Sequence, residues 1–179
     1  MSRITVLVGS PRKGGNTERL ADAFIEGAEQ AGNGVVKIHL GECRVNGCLG
    51  CDSCMKNGGK CVQDDDMQAV YEALYDSDVV VLATPIYCYA TSAQLKAVMD
   101  RFYATITRPF PIGSAALLAV YGDESPSEAD VAIAHYRALL RGTGWRDLGI
   151  VTASGVLHKG DIAGHASLRL AEELGKSLV

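Results

Sequence analysis

Apolar and polar positions along this chain keep two alternating rhythms, short apolar runs and longer stripes at helical spacing. Ile4–Val8 is apolar at every position but Thr5, which predicts a strand buried on both faces. Leu20, Phe24, Ala28 and Ala31 then mark one face of a helix, with Glu18 in the first turn, where the helix dipole favours an anion. Gly32-Asn-Gly34 ends that helix, and Val35–Leu40 reads as the second strand. Met67, Val70, Tyr71 and Leu74 are spaced i, i+3, i+4, i+7 and predict a helix capped by Asp64-Asp-Asp66. Asp78–Ala83 is the clearest central strand, and Thr84-Pro-Ile-Tyr-Cys-Tyr89 is its C-terminal loop. Ser92 caps a helix bearing Leu95, Val98, Met99 and Phe102, and Ala115–Tyr121 is a fourth strand. Ser125-Pro126 with Glu128 and Asp130 supplies an N-cap, a proline at the first position and an acidic first turn for a fourth helix. Leu148–Ser154 reads as the fifth strand and roughly Ala166–Leu178 as the last helix.

Strands and helices that alternate from the first element predict an α/β fold, a doubly wound five-stranded parallel sheet with helices on both faces. The whole chain, 1–179, reads as one domain without repeat, linker or low-complexity segment, and a Cys-rich loop, 41–63, is inserted after the second strand. In this architecture ligands sit at the carboxyl ends of the strands, near the point where strand order reverses. Three loops would meet there: Ser10–Thr17, Thr84–Thr91 and Gly122–Ser125.

Composition narrows the partners. With 47% hydrophobic and 21% charged residues and a net charge of −4, the chain suits neither nucleic acid nor an anionic membrane surface. No stretch approaches the roughly 18 apolar residues of a membrane span, and Met1-Ser-Arg3 enters a strand without a signal-peptide pattern. A cytoplasmic location is the expectation. Six cysteines in such a setting point to thiol, metal or redox chemistry and not to a disulfide framework.

The first loop, Gly9-Ser-Pro-Arg-Lys-Gly-Gly-Asn-Thr17, joins a β-prone stretch to a helix start, where amide groups and the helix dipole converge on an anion. Gly14 is followed by Gly15, so it is no Walker A loop, and Pro11 excludes the Gly-x-Gly-x-x-Gly fingerprint. A phosphate bound outside both schemes suits a flavin mononucleotide. Ser10 and Thr17 offer hydroxyls, Asn16 an amide and Arg12 a forked guanidinium; a plain solvated turn is the alternative. In the second loop, Pro85, Ile86, Tyr87 and Tyr89 put apolar and aromatic groups beside the cradle, in a chain with only 6% aromatic residues. Such groups suit a flat heterocycle, although local packing or a subunit interface would use them too.

Cys48-x₂-Cys51-x₂-Cys54-x₆-Cys61 places four thiols within 14 residues. Its first part has the spacing with which one turning loop wraps an iron–sulfur cubane; zinc and free or oxidisable thiols are the alternatives. Cys43 lies outside this spacing, and Cys88 falls in the second loop. His135 shares a stripe with Val131, Ala134 and Ala138 and reads as a packed or interface histidine. His39, His158 and His165 have no metal-ligand partners at suitable spacing. No nucleophile–base arrangement stands out, which suits an enzyme whose cofactor carries the chemistry.

Together, the phosphate loop, Thr84-Pro-Ile-Tyr87 and Ser92-Ala-Gln-Leu-Lys96 with Asp100-Arg101-Phe102 resemble the NADPH-dependent FMN reductases of the flavodoxin-like fold, over essentially the whole chain. The resemblance implies that Ser10, Arg12, Asn16 and Thr17 hold the FMN phosphate, that Pro85, Ile86, Tyr87 and Tyr89 line the ring, and that Gly122 adds a third loop. It also implies a homodimer or homotetramer whose neighbouring subunits complete the flavin site. The cysteine spacing is similar to that of the iron–sulfur flavoprotein branch, with Cys48, Cys51, Cys54 and Cys61 as ligands of a [4Fe–4S] cluster, although no proline follows the last cysteine as in bacterial ferredoxins. The expected function is an NAD(P)H-dependent flavin oxidoreductase serving a small acceptor. A non-enzymatic FMN and cluster electron carrier between partners such as ferredoxin is the alternative.

Overall fold

A computed structural model describes residues 1–178. In chain order its elements are β1 (Arg3–Val8), α1 (Asn16–Gln30), β2 (Gly34–His39), α2 (Ser53–Lys56), α3 (Met67–Tyr75), β3 (Val79–Tyr87), β4 (Ala90–Thr91), α4 (Ala93–Arg101), β5 (Ser114–Val120), α5 (Asp130–Thr143), β6 (Arg146–Ala153) and α6 (Ala166–Lys176). The sheet runs β2-β1-β3-β5-β6 with every neighbour parallel, and β4 folds back antiparallel on the end of β3. Strand order therefore reverses beside β1, which lies between β2 and β3.

Alternation along the strands assigns each residue to one of two cores. Ile4, Val6, Val8, Val79, Val81, Ala83, Ala116 and Leu118 pack under α1 and α6. Leu7, Val80, Leu82, Ala115 and Leu117 face α3, α4 and α5 with Met67, Leu74, Leu95, Val98, Tyr136 and Trp145. The expected five-stranded parallel sheet with helices on both faces is therefore present, in the flavodoxin-like order. On the first face α1 and α6 nearly touch: a Cβ on Gly27 would stand 2.0 Å from the Glu172 carbonyl oxygen, and one on Gly175 would stand 2.1 Å from that of Phe24.

Two boundaries differ from expectation by more than two residues. β3 runs on through Tyr87 instead of ending at Ala83, because Ile86 and Tyr87 pair with Thr91 and Ala90 in a hairpin. Cys88 (φ 48°) and Tyr89 (φ 67°) form its two-residue turn in the left-handed region that most hairpins give to Asn or Gly. The segment after Ser125 starts as a 3₁₀ turn, Pro126–Ala129, and α5 begins only at Asp130, with no side-chain cap from Ser125.

Candidate functional site

At the carboxyl ends of β1, β3, β5 and β6 lies a cleft of about 140 Å³, lined by Ser10, Arg12, Asn16, Thr17, Pro85, Ile86, Tyr87 and Gly122, with Val120, Tyr121, Val156, Leu157 and Lys159. Eight of the nine residues expected to surround a flavin thus share one wall system. The ninth, Tyr89, does not line it: it stands at the hairpin tip, 62% exposed. Chain folding explains the convergence. Parallel strands all emerge at the same edge, so the loop after each meets its neighbours there.

The first loop is braced from three sides. The Gly9 amide donates to the Ala83 carbonyl at 2.7 Å. The buried Ser92 hydroxyl donates to the Gly9 carbonyl at 2.7 Å, while the Ser92 amide donates to Thr84 Oγ1 at 3.0 Å. A Cβ on Gly9 would lie 2.7 Å from Ser92 Oγ and 2.8 Å from Leu95 Cβ, so only glycine lets the loop sit this low against α4. From below, Glu18 Oε2 accepts the Gly14 amide at 2.6 Å, and its other oxygen pairs with Lys37 at 3.0 Å. Burial pushes the Glu18 carboxyl up, but the Gly14 amide and Lys37 more than offset it and hold the group below its ordinary range. Asn16 and Thr17 open α1, where amides lack intrahelical acceptors. Arg12 stays exposed at the rim, its Nη1 3.4 Å from the Leu157 carbonyl oxygen.

Asn16 has a different duty from the one expected. Its amide nitrogen donates to the His158 and Val156 carbonyls at 2.8 and 3.3 Å, and its oxygen accepts the Gly160 amide at 2.9 Å. The side chain is therefore engaged in tying down the loop after β6, which brings Lys159 to the cleft, where Nζ donates to the Lys13 carbonyl at 2.8 Å. This fourth loop is missing from the reading of the sequence. Its signal was Gly155 and His158-Lys159-Gly160 directly after a strand, a position equivalent to the three loops that were recognised.

The cysteine loop is built differently. It contains only the single turn of α2, and its two legs are fastened by side chains. Arg44 and Asp66 exchange bonds of 2.6 and 3.2 Å, the Asn46 amide donates to Asp65 Oδ2 at 3.0 Å, and Gln63 Nε2 donates to the Gly47 carbonyl at 3.1 Å. Of the three aspartates expected to cap α3, Asp66 makes no side-chain cap bond and Asp65 does more than cap. Asp65 does accept the Met67 amide at 3.2 Å, but its carboxylate is buried and forms a two-pronged pair with Arg101, at 2.9 and 3.2 Å. Above that base, the Tyr103 hydroxyl donates to Asp52 at 3.1 Å and the Thr107 hydroxyl to the Cys54 carbonyl at 3.4 Å. A hollow of about 670 Å³ opens behind Cys61, walled by Gln68, Tyr71, Tyr75 and Arg108.

All six cysteines carry free thiols; Cys48 and Cys51 are exposed, Cys61 half-buried and Cys54 buried. Among the described residues no three Cys, His, Asp or Glu side chains converge as a metal site. The donor set nonetheless fits a cluster by chemistry, with four soft ligands on one short irregular loop. Burial pushes Cys43 up, whereas a bond to Ser53 lowers Cys51. His39 is buried beneath the phosphate loop, its Nε2 3.4 Å from Glu18 in geometry that does not make a hydrogen bond, and His165 accepts the Ser167 amide at 3.2 Å as the cap of α6.

The strand order, with its cleft at the reversal point, defines a flavodoxin-like protein. A family model described as NADPH-dependent FMN reductase matches residues 2–157, and the chain belongs to that family. Membership places it among the NAD(P)H-dependent flavin oxidoreductases that use FMN. It is 32% identical over 174 residues to an "Iron-sulfur flavoprotein" of Archaeoglobus fulgidus, covering 96% of this chain and 76% of that one. A protein of the same printed name from Methanosarcina thermophila is 37% identical over 99 residues, 55% of this chain and 51% of that one. An NAD(P)H:quinone oxidoreductase from Methanothermobacter marburgensis superposes with a TM-score of 0.79, over 99% of this chain and 96% of that one, at 18% identity. This last likeness shows the fold alone. No helix among the described residues is long and apolar enough to cross a membrane.

Proposed function

We propose that the protein holds FMN in the cleft at the strand ends, takes reducing equivalents from NAD(P)H and passes them to a small acceptor. The observation that carries this reading is the convergence of Ser10, Arg12, Thr17, Pro85, Ile86, Tyr87 and Gly122 on one cleft. Bound there, FMN supplies the hydride and electron chemistry. Ser10, Thr17 and the first amides of α1 bind its phosphate, with Arg12 adding a charge-assisted contact and Lys159 a second cation. Asn16 positions the Lys159 loop. A cleft of 140 Å³ is well below the roughly 300–1,000 Å³ of common ligand sites, so it seats the phosphate end. Ile86 and the 41% exposed Tyr87 offer the ring a platform open on one side, which a second subunit of a homodimer or homotetramer would cover.

Cys48, Cys51, Cys54 and Cys61 would hold a [4Fe–4S] cluster, a reading supported by the donor set and by the printed names of the relatives, and one that suits a cytoplasmic protein with reduced thiols. A second reading has its own support. Cys48 and Cys51 are exposed beside Leu49, itself 69% exposed, an arrangement suited to one-electron exchange with a docked protein such as ferredoxin. Anaerobic protein titrated with FMN and supplied with NADPH or NADH tests both. Multiple turnovers of nucleotide oxidation are expected, and reduction by ferredoxin with negligible nucleotide turnover would replace the enzyme by the carrier. Iron and acid-labile sulfide should approach four of each per chain after reconstitution; fewer than about one iron would leave a plain FMN reductase with a thiol-rich loop.

A further inference from the structure

A fully buried arginine needs a reason, and Arg101 is 1% exposed at the end of α4. Its Nη1 donates to Asp65 Oδ2 at 2.9 Å and to the Asn46 carbonyl at 3.0 Å, and its Nη2 donates to Asp65 Oδ1 at 3.2 Å. Asp65 in turn accepts the Asn46 amide at 3.0 Å. Both backbone groups of Asn46 are therefore gripped by one ion pair. Asn46 lies two residues before Cys48, and Asp65 four residues after Cys61. The pair thus fixes the two ends of the thiol loop to each other and to α4.

The same helix end holds the loop from the other side. Tyr71 donates its hydroxyl to the Arg101 carbonyl at 2.7 Å, and the residues just after Arg101 carry Tyr103 and Thr107, which bond Asp52 and the Cys54 carbonyl. Gly59 sits against this segment so closely that a Cβ there would lie 2.7 Å from Arg108 Cβ. One donor remains unused: Arg101 Nε is buried without a partner among the described residues. A buried N–H left unpaired is costly, and a sulfur of a bound anionic cluster is an acceptor that would satisfy it. Burial works against the guanidinium's charge, but its hydrogen bonds to Asp65 more than offset this and raise it above its ordinary value.

We propose that Arg101 and Asp65 form the clamp that positions the cysteine loop for its cluster. Arg101 is a positioning residue here, and the proposal rests on the cluster reading given above. An apolar pair would fill the same volume and keep the fold, since buried ion pairs are often replaced without loss of stability. It could not grip Asn46.

The test compares wild type with Arg101→Lys and with the double variant Asp65→Leu/Arg101→Met, each purified as the full chain. FMN content and melting temperature report whether the fold survives. Iron and sulfide after anaerobic reconstitution report the cluster, and alkylation of each cysteine by iodoacetamide in iron-free protein, followed by mass spectrometry, reports the loop directly. In both variants FMN should stay near one per chain, iron should fall at least fivefold, and Cys54 and Cys61 should alkylate at least tenfold faster than in wild type. A double variant that melts like wild type, keeps its iron and alkylates at wild-type rates would overturn the clamp and leave the pair a purely structural one. Wild type that takes up no iron would overturn the cluster reading instead, and the alkylation rates would still decide the clamp.

Discussion

The two functional ends of this molecule are made by opposite means. At the cleft, regular elements carry the loops: four parallel strands end together, and the Gly9–Ala83 backbone bond sets the first loop, with Ser92, Glu18 and Asn16 side chains bracing it. At the cysteine loop most of the ties between the two legs come from the side chains of Asp65, Asp66, Gln63 and Arg101. The walls of the first site within this chain are set by the fold. The second brings four thiols into one region without gathering three of them at one point.

The contrast is easiest to break at Arg101. Arg101→Leu leaves the Asp65 carboxylate buried and unpaired and should destabilise the whole protein by about 3–5 kcal/mol, read as a lower urea midpoint with the slope unchanged. A loss confined to the loop, with the global midpoint unmoved, would mean that the cysteine region is energetically detached from the sheet. Next in size, Arg12→Ala should weaken FMN binding by about 1.5–3 kcal/mol, followed by quenching of flavin fluorescence, with iron content unaffected. Equal affinity would remove Arg12 from the cradle.

A pH series sharpens the same comparison. Asp65 must overcome burial to ionise, and Arg101 and the Asn46 and Met67 amides hold it below the ordinary carboxylate range. A depressed carboxylate contributes stability that is whole above its unfolded value, near 4, and fades as pH drops through the folded one. Urea midpoints should therefore be level from pH 7 to 5 and fall below about pH 4, less steeply in Asp65→Leu/Arg101→Met; parallel slopes would assign the acid sensitivity elsewhere. The smallest effect concerns the hairpin. Cys88 holds φ 48°, so Cys88→Gly should relieve about 0.5–1 kcal/mol of left-handed strain, seen as a slight rise in melting temperature. A fall would show that the thiol packs against something essential.

Much of the cleft could be read from the chain because strand and loop signals are local. Apolar runs ended by Gly, Pro or Ser announce both a strand and the loop at its carboxyl end, and the doubly wound rule gathers those loops without further information. Asn16 shows where this fails. Its type suits a phosphate, yet its partners lie 140 to 144 residues away, and no local pattern reveals that. The fourth loop, with Leu157 and Lys159, is a different case, since Gly155 and Gly160 after a strand do mark it locally. Asp65 was read as a cap because helix starts favour aspartate, and only the fold shows Arg101 behind it. Tyr89 suits a flat ring by its aromatic type, but a positive-φ turn at Cys88-Tyr89 has no usual signature in these residue types and carries it to the hairpin tip.

The fastening of segments 44–47 and 63–66 to each other has a consequence for how the protein is put together. Because those ties are made by the polypeptide alone, segments 44–47 and 63–66 stay together whatever the four thiols between them hold.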